Sequence, residues 1–167
     1  MSRHSNDTLA LAMDYAQIME ACAAYVTCRG EAIREPEAAY RLLRPVLTAA
    51  TGGDKQECMM VLLLDTKNKA IGVPRVATLG LLDSSPVHPR EIFREAVRDG
   101  AASVILAHNH PSGDPTPSNE DLDITRRLVE AGKLLGIRVV DHLVCGRPTE
   151  SHAGYVSLRD RNLVAFE

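Results

Sequence analysis

No stretch of this 167-residue chain holds the 18 or more uninterrupted apolar residues of a membrane-spanning helix. The N-terminus lacks the cationic start, apolar run and small-residue cleavage site of a secretory signal, so a cytoplasmic protein is expected. Cysteine is scarce: Cys22, Cys28, Cys58 and Cys145 contain no Cys-x-x-Cys pair. That disfavours thiol-bound zinc, and a reducing compartment is the simplest reading. Neither charge dominates, since 19 Lys and Arg stand against 22 Asp and Glu for a net charge of −3. Such a balance exerts no overall pull on nucleic acid or an anionic membrane. Arg126, Arg127 and Lys133 form a local basic group that reads equally well as a solvated helix face. A Gly-x-Ser-x-Gly nucleophile elbow is absent, as is the zinc-deaminase pair of His-x-Glu and Pro-Cys-x-x-Cys. What remains is ordinary globular composition, 45% apolar and 25% charged, in a chain long enough for one domain with a real core.

Residues 1–7 are polar, and Leu9, Ala12, Met13, Ala16, Met19, Ala23 and Val26 then fall on one face at helical spacing. A stripe of this kind is core or a contact with a second copy, so a homo-oligomer is one expectation. Pro36 suits the first turn of a second helix reaching about Leu47, which Pro45 is expected to end or bend. The loop Thr51-Gly52-Gly53-Asp54 separates a helical N-terminal extension, residues 1–52, from a sheet-containing domain, residues 53–167. Gln56–Leu64 reads as a strand, Asp65–Asn68 as a turn, and Lys69–Leu79 as an antiparallel partner with Pro74 at a bulge or edge. His88-Pro89-Arg90-Glu91 opens a helix that Gly100 stops. Ile137–Cys145 and the short Tyr155–Ser157 are further strands, followed by a turn of helix. The fold class is α/β, a mixed β-sheet sandwiched by helices.

The chemistry concentrates between Ser103 and Asp121. Val104-Ile105-Leu106 is the short apolar run of a covered strand. Ser118 is a good N-cap for a helix marked by Leu122, Ile124, Thr125, Leu128 and Val129. His108 and His110, two apart where the strand gives way to a Pro-, Ser- and Gly-rich loop, point the same way if the segment is extended. Asp121 lies one turn into the helix. Two imidazoles and a carboxylate converging at a strand end make a three-ligand zinc site with a fourth position for water. Ser118-x-x-Asp121 is also a helix-capping arrangement, and spacing alone leaves both readings open.

His108-x-His110-Pro111 followed by Ser118-x-x-Asp121 resembles the JAMM motif, His-x-His-x(7)-Ser-x-x-Asp, of the JAB/MPN metallopeptidases. The fuller string from His108 through Pro115, with Pro117, Ser118, Asp121 and Thr125, is similar to the bacterial RadC-like branch. So are Leu64-Asp65-x-Lys67-Asn68, His88-Pro89-Arg90-Glu91 and Asp141-His142-Leu143-Val144. The similarity runs in order from about Glu57 to Val164.

That resemblance implies a cytidine-deaminase-like JAB/MPN fold and one Zn2+ per chain held by His108, His110 and Asp121. It implies a metallopeptidase or isopeptidase that hydrolyses an amide bond in a peptide or protein substrate. It further implies Glu57 as general acid/base, because Glu57 opens a strand eight residues before Asp65, and Ser118 as a donor to the oxyanion. Glu91 and Glu95 are the fallback bases, although both read as helix-surface acids. Asn109 and Ser112, between or beside the ligands, are candidates for orienting them, and Asp141-His142 is read as a structural polar cluster near the sheet end. His4, His88 and His152 stay unassigned. Two other functions compete. RadC-like proteins carry a DNA-repair label, which makes a DNA-binding protein one alternative, yet the first 50 or so residues show no Gly-rich hairpin between paired helices and no basic cluster. The other is a zinc-stabilised interaction module without turnover, against which the intact ligands, base and serine speak.

Overall fold

A computed structural model describes residues 30–80 and 87–166, together with Met19, Glu20, Cys22, Ala23, Tyr25 and Val26. Those six are helical, as the spacing predicts, but Met19 and Val26 on the expected apolar face are 51% and 68% exposed. Ala23 of the stripe is exposed too, while Leu9, Ala12, Met13 and Ala16, and residues 81–86, lie outside the described residues.

Helix α1 (Pro36–Ala50) starts with Pro36 in its first turn and Glu37 near its positive end. The helix does not end at Pro45; it continues through it to Ala50, beyond the expected Leu47. A proline inside a helix costs about 3 kcal/mol or more. Leu42, Leu43, Val46 and Leu47 flank it and are all buried. At roughly 1.5–3 kcal/mol for each fully buried large aliphatic side chain, their packing outweighs that cost.

Strands β1 (Cys58–Leu64), β2 (Arg75–Leu79), β3 (Ser103–Asn109), β4 (Arg138–Cys145) and β5 (Tyr155–Ser157) form one sheet in the order β2-β1-β3-β4-β5. Pairing is antiparallel except between β3 and β4, which are parallel and joined through helix α3 (Asn119–Leu135). The sheet is mixed, as expected. Lys69–Leu79 is not one continuous strand: Leu64 and Ala70 share an isolated bridge, and β2 begins only after Pro74. Its bulge lies farther on, where Met59 pairs with Thr78 but Met60 with Val76. Pro74 has no N–H to give a ladder, so it sits at the start of an edge strand.

β1 is buried along its whole length, which explains its uninterrupted apolar run. Met59, Val61 and Leu63 face a core built with helix α2 (Pro89–Arg98) and α3, through Ile92, Phe93, Leu128 and Val129. Cys58, Met60, Leu62 and Leu64 face a second core completed by Leu42, Leu43 and Leu47 of α1. Helices thus cover both faces. α3 packs so close to the chain leaving it that a Cβ on Gly132 would run into the Ile137 carbonyl. This fixes α3 over β4 and places its N-terminus beside the carboxyl end of β3. Open α/β sheets usually build their sites at that end.

Candidate metal centre and its cavity

β3 delivers His108 to the face it shares with Val104 and Leu106, and the strand's pairing buries it completely. His110 lies one residue beyond the strand, where its N–H donates to the Cys145 carbonyl at 2.9 Å and prolongs the ladder with β4. The two rings therefore reach the same side, as two-residue spacing in extended chain requires. From the other direction, Ser118 caps α3. Its Oγ accepts from the Asp121 N–H at 3.1 Å, and the Asp121 Oδ2 accepts from the Ser118 N–H at 2.7 Å. The capping reading of Ser118-x-x-Asp121 is thus correct, and it aims the carboxylate at the histidines rather than competing with them.

His108 Nε2 lies 3.1 Å from Asp121 Oδ1, His110 Nε2 lies 3.3 Å from Asp121 Oδ2, and the two Nε2 atoms are 3.0 Å apart. Two ligand atoms held about 2.0–2.1 Å from one tetrahedral centre sit about 3.3 Å from each other, so these spacings are compatible with a bound metal ion. His110 Nδ1 is 2.8 Å from the Asp114 carbonyl oxygen, which can only accept. The ring must donate there, and a neutral His110 then turns a bare Nε2 lone pair toward the cluster. His108, His110 and Asp121 form a group that could hold a metal ion.

The electrostatics of the cluster carry the same demand for positive charge. Burial opposes ionisation of Asp121, but hydrogen bonds from His108 and His110, with the Ser118 N–H, outweigh it and hold the carboxyl well below the usual range. His110 is pushed up, chiefly by its hydrogen bond to Asp121, against burial. A proton and a cation compete for the same lone pairs.

The cluster opens into a cavity of about 800 Å³ lined by Glu57, His110, Pro111, Ser112, Ser118, Glu120, Asp121, Asp123, Ile124 and Arg127. Glu57 reaches it from just before β1, which begins at Cys58, two residues later than the expected start at Gln56, so Glu57 precedes the strand rather than opening it. Glu91 instead accepts from the His88 N–H at 2.9 Å, and Glu95 pairs with Arg75 at 3.0 Å and with Arg94 at 3.3 Å. Both fallback acids are committed elsewhere. Arg126 pairs with Asp123 at 2.6 Å and Lys133 with Glu130 at 3.5 Å, as on a solvated face, while Arg127 lines the cavity.

Asn109 does not orient a metal ligand. It follows His108 on β3, so it points to the opposite face. Its Oδ1 accepts from the Cys58 N–H at 2.9 Å and its Nδ2 donates to the Gln56 carbonyl at 3.0 Å. These bonds bracket Glu57 and pin its backbone. Ser112 acts indirectly: its Oγ accepts from the Asp114 N–H at 3.3 Å, steadying the residue that holds His110.

The Asp141-His142 cluster divides in two. Asp141 accepts from Ser157 Oγ at 2.7 Å and from the Arg159 N–H at 3.1 Å, so it is structural, with burial raising its carboxyl. His142 points the other way, 2.8 Å from His108 Nδ1 and 2.6 Å from Thr125 Oγ1. Burial, and then the charge of His108, hold it well below its ordinary range, so it is neutral. Its contact with a candidate ligand was missed in the sequence. The available signal was a histidine inside each of two buried strands, since buried polar groups need partners.

The RadC-like JAB domain profile matches residues 33–163. A UPF0758 protein of Clostridium perfringens is 51% identical over 110 residues, 66% of this chain and 46% of the relative. One from Symbiobacterium thermophilum is 50% identical over 129 residues, 77% of this chain and 51% of the relative. One from Methanosarcina mazei is 45% identical over 132 residues, 79% and 53% respectively. The chain spans about half the length of the curated relatives it matches.

Proposed function

Because this chain belongs to the RadC-like JAB domain family, we propose that it is a zinc-dependent hydrolase of the JAMM type, cleaving an amide bond as a peptidase or isopeptidase. The observation that carries the reading is the convergence of His108 Nε2, His110 Nε2 and the Asp121 carboxylate at the wall of a cavity that also holds Glu57 and Ser118. His108, His110 and Asp121 hold the metal. Zinc bound there supplies a water of pKa about 7 and polarises a substrate carbonyl.

The remaining tasks fall to the protein's own side chains. Glu57 takes a proton at its carboxylate and returns it to the leaving nitrogen, and Asn109 keeps its backbone fixed meanwhile. The Ser118 hydroxyl accepts from the Asp121 N–H, so its own hydrogen is available to an oxyanion. Capping and catalysis draw on different parts of one hydroxyl. The cavity rim sets Glu57, Glu120 and Asp123 against Arg127, a balance suited to a neutral or cationic peptide rather than a phosphate backbone.

A peptide-library hydrolysis screen on the zinc-loaded protein tests the activity. Glu57→Gln should abolish turnover of any substrate found while leaving zinc stoichiometry unchanged. Retained turnover removes Glu57 from the mechanism.

A further inference from the structure

Thr125 Oγ1 lies 2.6 Å from the Asp121 carbonyl oxygen and 2.6 Å from His142 Nδ1. His142 Nε2 lies 2.8 Å from His108 Nδ1. Thr125, His142 and His108 are each 0% exposed, so solvent reaches no member of the chain. Its direction follows from donor counting. A carbonyl oxygen only accepts, and two oxygens 2.6 Å apart repel unless a hydrogen lies between them. The one hydroxyl hydrogen of Thr125 is therefore spent on Asp121. The Thr125 oxygen then accepts from His142 Nδ1–H, which leaves His142 Nε2 bare to accept from His108 Nδ1–H. A neutral His108 is then left with a bare Nε2, the atom that faces His110 and Asp121.

We propose that Thr125 and His142 are positioning residues: a one-way hydrogen-bond chain that holds His108 in the tautomer whose Nε2 can bind the metal. This rests on the metal-binding reading above. Metal-bound imidazoles usually donate their second N–H to a carboxylate or a backbone carbonyl, as His110 does to Asp114. Such partners cannot donate, so they set the tautomer unaided. A second imidazole can do either, and on its own it leaves the direction open. Thr125 closes it. The reversed chain would place a hydrogen on His108 Nε2, blocking the metal lone pair, and would leave the Thr125 and Asp121 oxygens in contact with no hydrogen between them. Thr125 follows Asp121 by one helical turn, so α3 carries both a ligand and the group that orients another ligand.

The test compares Thr125→Val, which removes the hydroxyl, with Thr125→Ser, which keeps it. Chelator competition on the full chain should give zinc affinity about 10–100-fold weaker in the valine variant and near wild type in the serine variant. Nitrogen-15 NMR of the zinc-loaded wild-type imidazoles should place the His142 hydrogen on Nδ1, a readout that needs no variant to fold. Unchanged affinity in Thr125→Val, or a hydrogen on His142 Nε2, overturns the chain while leaving the zinc site standing. A wild-type protein that takes up no zinc overturns the metal reading and this proposal together.

Discussion

Asp121 caps α3 and also points at two imidazoles, and a pair of variants separates these jobs. Ser118→Ala removes one half of the reciprocal cap and no metal ligand, and should cost about 1 kcal/mol. For a chain of this length that lowers Tm by about 2–4 °C. Asp121→Ala removes the other half of the cap and one of three ligands. A ligand at about 1,000 times its Kd stabilises the folded state by about 4 kcal/mol. In excess zinc, Asp121→Ala should therefore lose about 5 kcal/mol, or on the order of 10–20 °C. In chelator it should lose what Ser118→Ala loses together with the contacts of Asp121 to His108 and His110, and less than in zinc. Melting curves in both conditions, with mass-spectrometric zinc stoichiometry, give the comparison. One zinc per wild-type chain and none in Asp121→Ala is the expected result. If the variant keeps its zinc, or chelator leaves the wild-type Tm unmoved, Asp121 is a cap alone and the argument fails.

Stability of the chelated protein should peak near neutral pH. His110 is held above its ordinary 6.5, so its contribution is complete below that value and fades as pH rises through the raised one. His142 is held below 6.5, so stability also falls as pH drops under 6.5, by up to about 1.4 kcal/mol per pH unit. Zinc should remove the alkaline loss, since deprotonation then favours binding; Tm against pH with and without chelator checks both limbs, and an alkaline limb that persists in zinc contradicts the shared lone pairs. Asn109→Ala leaves the Cys58 N–H and the Gln56 carbonyl without their partner. It should cost about 1–3 kcal/mol in a urea melt and lower kcat through Glu57 without loss of zinc; full kcat would show that the bracket does not serve Glu57.

Much of the fold could be read because local and tertiary demands agree along most of the chain. β1 alternates between two cores and so must be apolar throughout, and α3 carries its cap and its apolar face at the expected places. That the helix runs on past Pro45 was not legible because propensity counts one residue's cost and does not see the four buried side chains around it. Cys58 and Cys145 behave as the small hydrophobes their setting predicts, with burial pushing both thiols up to about 12. The clustering of His108, His110 and Asp121 was legible because they lie within one strand–loop–helix segment, where spacing translates directly into geometry. His142 was not, because 34 residues separate it from His108 and the parallel register of β3 and β4 alone brings them together. Asn109 failed for the opposite reason: sequence adjacency to two ligands suggested a shared task, whereas the two-residue period of a strand sends neighbours to opposite faces. On this sheet one face therefore gathers His108 and the partners that orient it, while the other carries the side chain that holds Glu57. On the proposed function, a substitution on either face should reach the same cavity by separable routes, through zinc affinity on one and through turnover on the other.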